Sequence, residues 1–165
     1  MKEVASENRM DFASHMPEAL AQAHAAARRG EVPVGAVLVG PDGRVLARAG
    51  NRTREWSDPT AHAEIVAIRE ACRILGSERL PGSQLWVTLE PCPMCAAAIS
   101  AARISVVYYG ADDPRMGGVR HGARVFDHPQ CHHRPEVIDG ISAAESRRIL
   151  QDFFRERRGS GSVDD

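Results

Sequence analysis

Apolar positions along this 165-residue chain come in two kinds of run, long helical stretches and short continuous blocks. An alanine-rich stretch from Ser14 to about Arg29 reads as a helix. Pro17 lies in its first turn, where a missing N–H costs little, and Gly30 stops it. Val34-Gly-Ala-Val-Leu-Val39 is a continuous apolar run of strand length, bounded by the turn Pro41-Asp42-Gly43. Arg44 to Ala49 then returns as the second half of a hairpin. After a loop from Asn51 to Pro59, Asp58 or Thr60 is placed to cap a helix that runs through Leu75. Gln84–Leu89 predicts a third strand, Pro93–Ala102 a helix and Ile104–Tyr109 a fourth strand. Residues 112–135 are rich in Gly, Pro and His and read as loop with one helical turn. Glu136 to Asp139 predicts a short fifth strand, and Ser142 to about Arg158 a final amphipathic helix with Ile149, Leu150, Phe153 and Phe154 on its apolar side.

A hairpin followed by helix, strand, helix and strand is an α/β layer pattern. The compact unit 84–89, 93–102, 104–109 requires its two strands to run parallel. The expected organisation is a flexible segment over 1–13, one domain over 14–158 and a flexible tail over 159–165. Composition agrees with one globular domain, at 43% apolar and 26% charged residues. No signal-like segment and no membrane-length apolar run is present, so a reducing cytoplasm is the expected compartment. Net charge is −1, which argues against a whole-chain polyanion binder. Arginines 147, 148, 155, 157 and 158 against Asp152 and Glu156 leave a local positive excess, readable as a solvated helix face or as nucleic-acid contact.

Two short clusters carry the chemistry. His62-Ala63-Glu64 and Pro91-Cys92-Pro93-Met94-Cys95 supply three zinc-type ligands and one spare carboxylate. Three protein ligands leave a tetrahedral position open, as catalytic zinc requires and structural zinc does not. The spare carboxylate Glu64 suits a proton acceptor for an activated water. Cys92 and Cys95 fall where a strand gives way to a helix, whose N-terminus favours thiolate. His62 is expected in the first turn of its own helix. There it is about 200° around from Glu64, so regular helical spacing does not aim both at one atom. Each cluster alone is a weak signal. In this order, at helix starts, the pair H-x-E and P-C-x-x-C marks the zinc-dependent nucleobase deaminases.

On these motifs the chain resembles the cytidine-deaminase-like superfamily and, within it, the bacterial tRNA-specific adenosine deaminases. The resemblance runs from about Ala19 to Arg158. It is carried by Glu31-Val-Pro-Val-Gly-Ala-Val37, Asp58-Pro-Thr-Ala-His-Ala-Glu64, Val87-Thr-Leu-Glu-Pro-Cys92, Met94-Cys95-Ala96 and Phe153-Phe-Arg155. It implies a three-layer α/β/α fold with a central mixed five-stranded sheet, and conversion of adenosine to inosine at the wobble position of a tRNA anticodon stem-loop. It further implies a homodimer with one Zn2+ per subunit and no membrane association. His62, Cys92 and Cys95 then hold the zinc and Glu64 shuttles the proton. Asn51, Val32, Ala63, Asp113, Arg115, Phe154 and Arg155 contact the substrate, Asp113 and Arg115 as an acidic–basic pair. Met116-Gly117-Gly118 and His132 depart from the family's usual residues. Two other readings stand beside this one: a deaminase of a free base or nucleotide such as guanine, cytosine or dCMP, and a non-enzymatic zinc-stabilised RNA-binding module. Cys131-His132-His133 is expected to be loop structure rather than a second metal site. Cys72 is expected to pack in the core, and Trp56 is either a pocket-rim residue or an exposed aromatic.

Overall fold

The apolar run 34–39 forms β1 (Gly35–Val39), buried at all five positions. It is continuous in sequence because the strand is covered on both faces. Val37 and Val39 pack with Met16, Ala19, Leu20, Trp86, Tyr108 and Ile149 on one side. Ala36 and Leu38 pack with Ala63, Ala67, Ala71, Ala96 and Ile99 on the other. This computed structural model describes residues 13–159. The expected flexible segment and tail therefore fall outside the described residues, except Ala13 and Gly159.

In chain order the other elements are α1 (Met16–Arg28), β2 (Val45–Gly50), α2 (Ala63–Leu75), β3 (Gln84–Leu89), α3 (Pro93–Ala101), β4 (Val106–Ala111), β5 (Glu136–Ile138) and α4 (Ala143–Gly159), with a 3-10 turn at Val125–Asp127. The sheet order is β2-β1-β3-β4-β5. β1 is antiparallel to both β2 and β3, whereas β4 is parallel to β3 and to β5. The sheet is mixed and five-stranded, as expected. Helices α1 and α4 pack on one face and α2 and α3 on the other, giving three layers. Trp86 stacks on Tyr108 at 3.8 Å between ring centroids, filling the α1/α4 side.

Three boundaries differ from the sequence reading. Strand β4 begins at Val106, because the amides of Ser105 and Val106 first bond the carbonyl of Ser83. Gly159 closes α4 rather than opening a tail. Helix α2 begins at Ala63: Asp58 caps a separate turn, accepting from the amide (2.8 Å) and hydroxyl (2.7 Å) of Thr60. His62, not Asp58 or Thr60, is the N-cap residue.

One close approach fixes how α1 seats on the sheet. A Cβ on Gly35 would overlap the carbonyl oxygen of Ala19. Both partners are backbone, so neither can turn aside. Gly35→Ala is expected to cost about 1–3 kcal/mol by overpacking, read as a lower urea midpoint at unchanged m-value.

Candidate active site

The position of His62 resolves the spacing problem posed by the sequence. Its backbone is extended (φ −67°, ψ 154°), so it lies just outside α2 rather than in its first turn. Its ring is thereby free of the helical 200° offset from Glu64. Cys92 is likewise the N-cap of α3 (φ −69°, ψ 170°), and Cys95 is three residues further on. An N-cap side chain naturally folds toward the third helical residue, so C-x-x-C at this spot brings two sulfurs together. Both helix N-termini face the cluster, and their positive ends favour thiolate.

His62 Nδ1 lies 3.6 Å from Cys92 Sγ and 3.5 Å from Cys95 Sγ. All three donor atoms are within 4.8 Å of one another. Zinc bonds of about 2.3 Å to sulfur and about 2.0 Å to nitrogen, at a tetrahedral angle, place S and N roughly 3.5 Å apart. The donor set and its spacing therefore fit zinc with a fourth position open. The Cys95 thiol and the His62 ring, both hydrogen-bonded to Cys92, hold its thiol down to about 4, so it is a thiolate at neutral pH. Its hydrogen bond to Cys92 raises His62, and a separate one between Cys95 and Cys92, together with burial, pushes Cys95 up. Glu64 is buried beside them, and that burial raises its carboxyl above the ordinary range.

A cavity of about 240 Å³ opens over the cluster, beyond the C-terminal ends of β3 and β4. Ligands collect at such strand ends in open α/β sheets. Val32, Asn51, His62, Glu64, Cys92 and Asp113 line it, joined by Val34, Thr53, Leu89, Glu90 and Met116. Asn51 is held by the amide of Ala63, which donates to its Oδ1 at 2.8 Å and leaves the amide nitrogen of Asn51 available to donate. Ala63 itself is fully buried and does not line the cavity. Arg115 does not line it either: Asp113 Oδ1 accepts the backbone amides of Arg115 (3.2 Å) and Met116 (3.0 Å), and no ion pair joins the two side chains among the described residues. Phe154 and Arg155 are also outside the cavity. Phe153 packs inward while Phe154 is 46% exposed, and Arg155 pairs with Asp152 on the surface. Their helix is tied to the cavity wall by Arg157, which donates to Gly30 O at 2.6 Å, two residues before Val32.

Two buried glutamates were not singled out by the sequence. Glu31 accepts the amides of Arg54 and Glu55 and the Thr53 hydroxyl, pinning the loop that follows Asn51. Glu90 does the same for the loop after β4. For Glu90 the available signal was a charged residue directly after an apolar strand. Cys131 and His133 bond to Ser100 and to the backbone around Ile104, which is loop structure, and they form no metal-ligand group among the described residues. Cys72 packs partly buried against the core, and Trp56 is half exposed under the Arg52 guanidinium, away from the cavity.

Residues 10–111 match the cytidine and deoxycytidylate deaminase zinc-binding region. A tRNA-specific adenosine deaminase of Agrobacterium fabrum is 62% identical over 143 residues, covering 87% of this chain and 93% of its own length. A solved structure from work on A-to-I editing by tRNA:A34 deaminases at the wobble position of transfer RNA is 61% identical. It superposes with a TM-score of 0.80 over 82% of this chain and 97% of its own. A guanine deaminase from Nitrosomonas europaea shares the fold at 19% identity and a TM-score of 0.72, over 84% of this chain and 81% of its own.

Proposed function

The chain belongs to the cytidine and deoxycytidylate deaminase zinc-binding family, and from that premise we propose that it hydrolytically deaminates adenosine to inosine at the wobble position of a tRNA anticodon loop. The observation that carries the reaction type is the convergence of His62, Cys92 and Cys95 at tetrahedral spacing beside the buried carboxylate of Glu64, on the floor of one cavity. The observation that favours tRNA is identity above 60% to proteins of that activity.

In this reading residues 14–158 are the deaminase domain, with His62, Cys92 and Cys95 as the zinc ligands. Bound zinc supplies a Lewis acid that lowers the pKa of water to about 7. Glu64 accepts a proton from the attacking water and delivers it to N1 of the adenine. Oxygen bonds to C6 as a hydroxyl; as the C6–N bond breaks, Glu64 carries that hydroxyl's proton to the departing amine, leaving a carbonyl at C6 and releasing ammonia. Asn51 donates from its amide to the base, in an orientation set by Ala63. Val32 and Val34 give the base an apolar wall. Phe154, exposed on the helix anchored beside that wall, stacks on a base of the loop, a contact worth about 1–3 kcal/mol in single-strand binders. Among the described residues no helix is long and apolar enough to cross a membrane. A tRNA substrate places the work in the cytoplasm. The assembly we assign is a homodimer, supported by a groove along α3 in which Ala97, Ala101, Ala123 and Val125 sit among polar residues that include Arg103, His128 and His132.

The test is direct. Zinc-loaded protein incubated with an anticodon stem-loop bearing A at the wobble position is expected to yield inosine, and free guanine, cytosine and adenosine no ammonia. The same preparation should sediment at twice the 18.0 kDa chain mass. Ammonia from a free base alone would reassign the substrate, and silence on all of them would leave only an RNA-binding role.

A further inference from the structure

The loop between β4 and β5 brings Asp113 and Met116 to the cavity. It is held there by one side chain from the end of β3. Glu90 follows the end of β3 and precedes Pro91 and Cys92, and is 2% exposed. Its Oε1 accepts the amide of Asp113 at 3.1 Å. Its Oε2 accepts the amides of Val119 (3.2 Å), Arg120 (3.0 Å) and His121 (3.0 Å). The His121 ring Nδ1 lies 2.7 Å from Oε1. A carboxylate offers about four acceptor sites, and here five contacts converge on it. Glu90 therefore has no capacity left for a metal or a proton relay, although Asp112 and His121 lie within ligand range of it. Asp112 Oδ1 is itself engaged by the Tyr109 hydroxyl at 2.9 Å.

Two glycines let the loop close onto this carboxylate. A Cβ on Gly117 would overlap Glu90 Oε2, and one on Gly118 would overlap the backbone nitrogen of Pro93. Both lie in the Met116-Gly117-Gly118 segment. The loop is thus clamped between a buried carboxylate and the start of α3, the helix that carries Cys95.

We propose that Glu90 is a positioning residue: it fixes the 112–121 loop as the second wall of the base pocket, so that Asp113 and Met116 meet the flipped base and its neighbours in one geometry. The proposal rests on the deaminase reading for its substrate and on the hydrogen bonds alone for the clamp. The clamp spans the strand end next to Cys92, so loop placement and metal cluster share one rigid support, and a misplacement of about 1 Å is enough to lower productive binding.

The experiment compares the zinc-loaded chain with Glu90→Gln, whose new amide N–H groups oppose the loop amides, and with Gly117→Ala, which keeps the Glu90 carboxylate but wedges it and the loop apart. Hydrogen exchange at the amides of Asp113, Val119, Arg120 and His121 is expected to rise about tenfold or more in both variants. Zinc content is expected to stay at one per chain. KM for the wobble-A stem-loop is expected to rise about tenfold or more with kcat within about threefold. Unchanged exchange with unchanged KM overturns the proposal. Loss of zinc in either variant also overturns it, since Glu90 would then support the metal cluster rather than the loop. A collapse of kcat at constant KM overturns it too, by placing Glu90 in the chemistry. A wild-type chain that makes no inosine sinks the deaminase reading and not the clamp, which the exchange rates decide alone.

Discussion

Glu64→Ala is expected to lower turnover on the wobble-A stem-loop by about 10²–10⁴-fold, the usual contribution of a positioned general acid–base group. Zinc should remain at one per chain. The cavity holds two buried glutamates, and their surroundings separate their roles. Glu90 is saturated by loop amides and the His121 ring, and although burial opposes it, those hydrogen bonds hold its carboxyl below the usual range. It is a poor proton acceptor. Glu64 is raised by burial and sits against the His62, Cys92 and Cys95 cluster. Glu64→Gln keeps the volume and should fail equally, because an amide cannot take the proton. Metal analysis and inosine quantified by mass spectrometry check both variants. Near wild-type turnover in either one would remove Glu64 from the mechanism.

His62→Ala is expected to abolish zinc binding and activity together. The three donors are the whole protein contribution to a tetrahedral site, and removing one leaves two thiols at a site that opens to a cavity. The readout extends beyond turnover. Metal that binds only the folded chain stabilises it by mass action, about 2.7 kcal/mol at a free concentration 100-fold above Kd. Zinc added to stripped wild-type protein should therefore raise Tm, and the same addition to His62→Ala should not. Since Glu64→Ala is expected to keep this zinc-dependent rise, the pair of variants separates the metal site from the proton shuttle. A His62→Ala chain that still shows the rise would mean that another residue completes the site.

Local signals were sufficient for most elements. Strand β1 announced itself by a continuous apolar run, and α1 by Pro17 and Gly30. Where local reading failed, a longer-range contact had taken over. Asp58 has the chemistry of a helix cap, yet it caps a turn that ends before α2, and His62 at the N-cap faces the cysteines instead. Glu31 and Glu90 looked like ordinary polar residues beside apolar strands, and their partners lie 22 to 31 positions away.

The sequence by itself determined the reaction chemistry available to this protein. One imidazole, two thiols and a spare carboxylate in H-x-E and P-C-x-x-C order are a matter of residue type and local spacing, and such information is carried in the chain directly. It also determined that an α/β sheet with a parallel βαβ unit would carry them. Only the tertiary structure decided that His62 leaves its helix to meet the two sulfurs at tetrahedral spacing. It alone decided that β1 sits between β2 and β3, which sets Val32 and Asn51 against the metal cluster, and that two buried carboxylates hold the flanking loops in place. The reason is physical. Periodicity and capping report on neighbours three or four residues apart, whereas a pocket is made where strand ends and loops distant in sequence are brought together by pairing and burial.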